Sequence, residues 1–126
     1  KNIFYKFNVS ISDSYLVSHA KTLHHLLPNL ILPIDRQYTV RFFYHEKNKW
    51  FDNKGKFKQI NFKNNVEYDY FIEIVMQSKK IIHQCTQHLN NIHNDIDGNN
   101  FDTSLPKIVD NLIISYVRSM RNNLIK

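Results

Sequence analysis

Three stretches of the sequence follow a period of two, the spacing expected of a half-buried β-strand. They cover residues 4–11, 38–45 and 66–76, and the third is long enough for a central strand. The second stretch carries aromatic residues on both faces, so we expect it to be covered on both sides. With room for a further strand near 57–62, this pattern predicts a β-sheet.

Apolar residues at helical spacing predict three helices beside this sheet. The first follows the capping residues 12–14 and ends at Pro28, and the second starts at Ser78 and reaches Ile92. The third starts at Ser104, with a proline in its first turn. Its wide apolar stripe consists of Ile108, Val109, Leu112, Ile113, Tyr116, Val117 and Met120.

The predicted order is β-α-β-β-α-α, which defines an α+β fold. We expect a single open mixed sheet with helices packed on one face, a long basic loop or ribbon and an extra C-terminal helix. Residues 1–92 are predicted to form the α+β domain, with 36–63 as its basic extension, and 93–126 to form a linker and the C-terminal helix. The expected core contains Phe7, Val9, Leu16, Leu23, Val40, Ile72 and Ile74.

The length of the apolar runs and the number of cysteines argue against a membrane-spanning chain and a disulfide-rich domain. No apolar run approaches the roughly 20 residues of a membrane span, so we expect no membrane partner. The single Cys85 excludes an internal disulfide framework.

The positive charge of the chain is concentrated in residues 36–63. This segment holds eight basic and two acidic residues, which accounts for the whole net charge of +6, and the rest of the chain is neutral. Asn53-Lys54-Gly55 predicts a turn in its middle. Charge placed in one segment indicates a polyanionic partner more than general solubility.

This segment alternates lysines with aromatic residues, a composition typical of RNA binding. Lysines neutralise phosphates and release counterions, while aromatic rings can stack on unpaired bases or anchor against a neighbouring protein. The alternative is a solvated edge ribbon whose lysines prevent aggregation. The predicted RNA-binding residues are Arg36, Arg41, His45, Lys47, Lys49, Trp50, Lys54, Lys56, Lys58 and Lys63, with Phe51 as a second stacking candidate.

Metal and catalytic chemistry have weaker support. His83, His88 and His93 are five residues apart on a predicted helix, so successive side chains turn by about 140° and diverge. Glu67, Asp69 and Glu73 share one face of a predicted strand, where a solvated row is commoner than an acid–base cluster. We expect no enzyme, no metal, no cofactor and no small-molecule substrate.

Three motifs occur in an order that resembles the family of the tenth small-subunit ribosomal protein, in its mitochondrial branch. The first is Asp13-Ser14-Tyr15-Leu16-Val17 followed by Ala20-Lys21-x-Leu23. The second is Leu32-Pro33-x-x-Arg36-x-Tyr38-Thr39-Val40, with His45 and Lys47 beyond it. The third is Phe71-Ile72-Glu73-Ile74-Val75 before Ser78-Lys79.

The resemblance implies a structural constituent of the head of the small ribosomal subunit. It implies that residues 36–63 form a loop that reaches ribosomal RNA and neighbouring head proteins during translation. The implied location is the ribosome of the mitochondrial matrix, with the cytoplasm as second choice. The alternative function is a protein-interaction adaptor that binds no RNA, with aromatic partner contacts and a solubilising rim of lysines.

Overall fold

The computed structural model describes residues 15–44, 46, 49–60, 66–97 and 104–124, and these residues are mostly helical. Within these residues, five α-helices and one π-helical turn follow one another. They are α1 (Tyr15–Leu26), the π-helical turn (Arg36–Val40), α2 (Arg41–Tyr44), α3 (Glu67–Gln84), α4 (Thr86–Asp97) and α5 (Leu105–Leu124). The π-helical turn runs directly into α2.

The predicted α+β sheet is wrong for the part of the chain that the structure describes. Residues 38–44 and 66–76 were expected to be strands, but the former belong to the π-helical turn and α2, and the latter lie almost wholly in α3. The first predicted strand, 4–11, lies outside the described residues. In place of a sheet, the described residues contain an isolated antiparallel β-bridge between Phe51 and Phe57.

The misassignment of α3 has a physical reason. Its apolar residues fit a period of two, but they also fit the spacing of a helix, and burial follows the helical spacing. Phe71, Ile74, Val75 and Ser78 are buried, at intervals of three and four residues. Ile72 and Met76 alternate with Ile74 in the predicted strand, yet they are 37% and 65% exposed.

The helical spacing correctly predicted α1 and α5, but the single helix predicted from Ser78 to Ile92 is wrong, because Ser78 lies inside α3 and α3 ends before Cys85. The predicted helix at 12–28 corresponds to α1, which ends two residues before Pro28. The predicted helix at 78–92 covers the end of α3 and the start of α4, which meet where the backbone of Cys85 leaves the helical region. The predicted C-terminal helix is α5, with Ile108, Val109, Ile113 and Val117 buried.

Helix α5 is the central packing element of the described residues. It contacts α3, α4 and the π-helical turn, and its apolar stripe belongs to the same core as α1 and α3. Among the predicted core residues, Leu16, Val40 and Ile74 are fully buried and Leu23 packs against the core. The exposure of Ile72 contradicts its predicted core position, and Phe7 and Val9 lie outside the described residues.

Two buried polar contacts tie distant segments together. The Glu67 carboxylate, at the start of α3, accepts hydrogen bonds from the backbone N–H groups of Tyr15 (2.8 Å) and Leu16 (3.2 Å) and so caps α1. The Thr39 hydroxyl donates to Asp110 at 3.3 Å, which joins the π-helical turn to α5. Since these donors and acceptors are buried, losing a partner would be costly.

Candidate nucleic-acid interface

The middle of the basic segment folds into a hairpin, residues 50–58, which we call the basic hairpin. The N–H of Asp52 donates to the Lys56 carbonyl at 2.8 Å, and the N–H of Gly55 donates to the Asp52 carbonyl at 3.0 Å. Gly55 has a φ of 69°, the left-handed conformation that three-residue hairpin loops require and glycine adopts without strain. The predicted turn at Asn53-Lys54-Gly55 is confirmed.

The carboxylate of Asp52 organises the tip of the hairpin. Its Oδ1 accepts hydrogen bonds from the backbone N–H groups of Lys54 and Lys56, both at 2.8 Å. The bond from Lys56, with that from Lys54 and the charges of both lysines, lowers the pKa of Asp52 below its ordinary value. The turn therefore depends on the negatively charged carboxylate of Asp52, which binds the backbone N–H groups of two lysines.

A buried arginine fastens the base of the hairpin. Arg41 donates from Nη1 to the Trp50 carbonyl at 2.6 Å and from Nη2 to the Lys58 carbonyl at 2.7 Å, so it bridges the two arms. Its Nε donates to the Gln37 carbonyl at 2.9 Å, which joins the hairpin to the π-helical turn. Burial lowers the pKa of the Arg41 guanidinium. Because the pKa of an arginine is ordinarily far above neutral pH, the group stays charged.

A second arginine, from the far end of the chain, holds the tip. Arg121 of α5 donates from Nε to the Gly55 carbonyl at 2.8 Å. The guanidinium groups of Arg121 and Arg41 lie 5.7 Å and 4.9 Å from the centre of the Phe57 ring. The rings of Tyr38 and Phe57 also form a T-shaped pair, with 5.4 Å between ring centres. The hairpin is therefore fixed at both ends and through one aromatic side chain.

Three lysines of the hairpin remain free to bind a ligand. Lys54, Lys56 and Lys58 are exposed and line one shallow hollow of about 510 Å³, together with Asp52 and Asn53. Within the described ranges, none of these three lysines forms an ion pair. A hollow lined by three lysines is a place where an anion such as a phosphate can be held.

The other predicted site residues are placed differently. Lys49 is exposed but pairs with Glu46 at 2.9 Å, and Arg36 is half-buried at the start of the π-helical turn. Arg41 and Trp50 are 2% and 1% exposed, so neither offers a surface to a nucleic acid, and we remove both from the interface. Phe51, the second stacking candidate, is also buried. His45, Lys47 and Lys63 lie outside the described residues.

The structure adds two basic residues that the sequence did not associate with the site. Arg121 contacts the hairpin directly, and the guanidinium of Arg118 lies 5.4 Å from the centre of the Tyr38 ring, which packs against Phe57. Both arginines follow the hairpin by at least 60 residues, so no local sequence pattern could have connected them with it.

The carboxylates considered for catalysis are separated in the structure. Glu67 is buried as the cap of α1, whereas Glu73 accepts a hydrogen bond from the Tyr44 hydroxyl at 2.7 Å on the surface. Burial, followed by this bond to Glu73, raises the pKa of Tyr44 and keeps its hydroxyl protonated. None of Glu67, Asp69 and Glu73 lines the cleft of about 650 Å³ between α2, α3 and α5.

Two searches of the described residues bear on other classes of site. No group of three or more His, Cys, Asp or Glu side chains in these ranges is placed to hold a metal ion. In the same ranges, no helix combines the length and apolar character needed to cross a membrane.

The described residues are thus mostly helical, and they include a basic hairpin held by hydrogen bonds from Arg41 and Arg121. Comparison of the chain with protein-family models, with curated proteins and with solved structures found no match. The resemblance to the tenth small-subunit ribosomal protein therefore stays a prediction from the order of three motifs.

Proposed function

We propose that this chain is a non-catalytic RNA-binding protein whose basic hairpin contacts the phosphates of its partner. One observation carries the proposal: Lys54, Lys56 and Lys58 converge on a single hollow, without ion pairs among the described residues, on a hairpin fastened by two arginines. Arg118 adds positive charge on the adjacent face of α5.

Charge and rigidity both favour binding of a polyanion. Each lysine that meets a phosphate releases condensed counterions, which supplies most of the sequence-independent affinity. Arg41 and Arg121 hold the hairpin backbone before binding, so less conformational freedom is lost in the complex.

The burial of the aromatic residues narrows the mode of binding. Trp50 and Phe51 lie in the core, and the half-buried Phe57 ring already contacts Arg41, Arg121 and Tyr38. We therefore do not propose that these residues stack on bases, as the sequence had suggested. We propose contact with the backbone of the RNA, which carries little information about base sequence.

The ribosome is the cellular setting that the motif order suggests. In that setting the chain would belong to the head of a mitochondrial small subunit and would contact ribosomal RNA and neighbouring head proteins. The helical fold removes the α+β architecture that the resemblance implied, so this part of the proposal rests on the three motifs alone.

The salt dependence of RNA binding tests the proposal. In a triple variant with Lys54, Lys56 and Lys58 changed to Ala, the slope of log affinity against log salt should decrease in magnitude by about 2, since each phosphate contact to a single strand contributes about 0.7. Fluorescence anisotropy with a labelled 20-nucleotide RNA measures this slope.

A matched control distinguishes a binding site on the hairpin from a general effect of positive charge. Changing the exposed Lys21, Lys79 and Lys80 to Ala removes the same charge from α1 and α3, and should leave the slope close to that of the wild type. Equal losses in both triple variants, or no RNA binding by the wild type at low salt, would contradict the proposal.

A protein-interaction adaptor is the second candidate, and exposed apolar surface favours it. Leu112 of α5 and Met76 of α3 are among the large apolar side chains that are exposed. RNase treatment of the native complex distinguishes the two functions, because an adaptor keeps its partners and an RNA-bound protein loses most of them.

A further inference from the structure

A cleft of about 650 Å³ opens between the packed helices, on a surface separate from the lysine hollow. It lies where α2, α3 and α5 meet Glu46 and Trp50. Its lining consists of Phe42, Glu46, Trp50, Ile81, Val109, Leu112, Ile113 and Tyr116. Neither the RNA-binding proposal nor the packing of the core accounts for this cleft.

The size and lining of the cleft are those of a small-molecule site. Such sites measure roughly 300–1,000 Å³ and are mostly apolar, with a few polar groups that orient the ligand. Three aromatic residues form part of the wall: the Tyr116 ring stands edge-on to Phe42 at 5.9 Å and to Trp50 at 6.1 Å between ring centres. Four aliphatic side chains complete the apolar lining.

The charge of the lining residues indicates which charge a ligand of this cleft should carry. Glu46 is the one formally charged side chain among the lining residues, and it is acidic in a chain whose net charge is +6. A carboxylate attracts a cationic group, and the face of an aromatic ring beside it can add to this attraction.

The present partner of Glu46 is easily replaced. Its carboxylate is paired with the ammonium group of Lys49 at 2.9 Å, and both side chains are roughly two-thirds exposed. An exposed ion pair of this kind contributes about 0–1 kcal/mol, so a ligand cation seated in the cleft can compete with it.

We propose that this cleft binds a small amphipathic cation. The apolar body of the ligand, an alkyl chain or a ring, lies against Ile81, Leu112 and Tyr116. Its single ammonium group lies at the rim, beside Glu46 and in place of Lys49. The proposal is independent of RNA binding, because it uses neither the three hairpin lysines nor the arginines of α5.

The single tryptophan of the chain provides the readout, since Trp50 lines the cleft. Three probes of equal chain length and different charge, octyltrimethylammonium, octanol and octanoate, are titrated below their aggregation concentrations. We expect a saturable change in Trp50 fluorescence with the cation at the lowest concentration, and weaker binding of the alcohol and the carboxylate. Absence of a saturable change, or equal affinity for cation and carboxylate, would overturn the proposal.

Two substitutions at the rim test the role of charge. Glu46→Gln should lower the preference for the cation over the alcohol by about threefold or more, and Lys49→Ala should raise affinity for the cation by removing its competitor. A preference that is unchanged in both variants would show that the carboxylate does not select the ligand and would overturn the cationic part of the proposal.

A third pair of variants tests the location. Leu112→Lys places an ammonium group in the cleft and should abolish binding of the cation. Met76→Lys makes the corresponding change at an exposed apolar position of α3 outside the lining and should leave binding unchanged. Circular dichroism checks that both variants keep their helices, and equal effects of the two substitutions would place the probe elsewhere.

Discussion

At the scale of single residues, Arg41 and Asp52 show that a charged side chain in a basic segment can have a structural role. Arg41 makes three hydrogen bonds to backbone carbonyls, one in the π-helical turn and one in each arm of the hairpin. Asp52 accepts from two backbone N–H groups of the turn. Both residues shape the hairpin that presents the lysines, so their loss should affect the lysines indirectly.

Substitution of Arg41 should destabilise the protein. Arg41→Ala removes the guanidinium that donates to three backbone carbonyls, and we expect the free energy of unfolding to fall by about 2–4 kcal/mol. Arg41→Lys should restore only part of this loss, because one ammonium group cannot reproduce the planar fork of a guanidinium. Urea unfolding followed by Trp50 fluorescence measures both.

The exposed Arg118 is the matched control for Arg41. Arg118→Ala removes the same charge from the surface and should change the free energy of unfolding by no more than about 0.5 kcal/mol. Comparable losses for the two alanine variants would contradict the structural role of Arg41.

The turn of the hairpin should loosen in acid. Because folding lowers the pKa of Asp52, its contribution is complete above the ordinary value of 3.8 and is lost as the pH falls through the lowered pKa. Amide hydrogen exchange at Lys54 and Lys56 should therefore show protection that decreases below about pH 4. In Asp52→Asn the acceptor oxygen remains but does not titrate, so a pH dependence that persists in this variant would exclude Asp52 as its cause.

At the scale of the elements, the basic hairpin shows how a local signal and a distant contact combine. The turn residues are local, and glycine at position 55 meets the requirement for a positive φ. The orientation of the hairpin depends on Arg121, which is 66 residues away from the Gly55 carbonyl that it holds. The lysines are therefore presented by an element that α5 keeps in place.

Replacing Gly55 should weaken the hairpin and its ligand binding together. Gly55→Ala places a Cβ in the left-handed region, at a cost of about 1–2 kcal/mol, whereas Gly55→Asn should cost less. We expect RNA affinity to fall in the order Gly, Asn, Ala at this position, measured by fluorescence anisotropy at constant salt. Wild-type affinity in Gly55→Ala would indicate that binding does not require the folded turn.

At the scale of the whole molecule, the described residues pack around α5. Val109 and Val117 are buried among side chains of the other elements, while Asp110 of the same helix accepts from Thr39 and pairs with Lys107 at 2.7 Å. One helix thus supplies core contacts, a buried polar link and the arginine that holds the hairpin tip. Loss of α5 packing should therefore destabilise all the elements of the described residues.

A substitution that leaves a cavity in the core beside α5 tests whether the other elements depend on this helix. Ile108→Ala removes a side chain that is fully buried in the core, and should lower the free energy of unfolding by about 2–4 kcal/mol. Far-UV circular dichroism and Trp50 fluorescence should report the same unfolding midpoint, because loss of α5 packing releases helices and hairpin together. Separate midpoints would show that the hairpin unfolds independently of α5.

The sequence by itself determined the features that depend on neighbours along the chain. Helical spacing identified α1 and α5, and glycine at position 55 identified the turn of the hairpin. The concentration of charge was also visible, because it is a count. For residues 66–76, however, the apolar residues suit both a strand and a helix, so local spacing was not decisive.

Only the tertiary structure decided which charged and aromatic residues reach the surface. Sequence spacing shows which side chains can share a face, but burial depends on what packs against that face. Arg41 and Trp50 turned inward because the π-helical turn, the hairpin and α5 close around them, while Lys54, Lys56 and Lys58 stayed outside. Contacts such as that of Arg121 with Gly55 join residues far apart in the chain, and only folding brings them together.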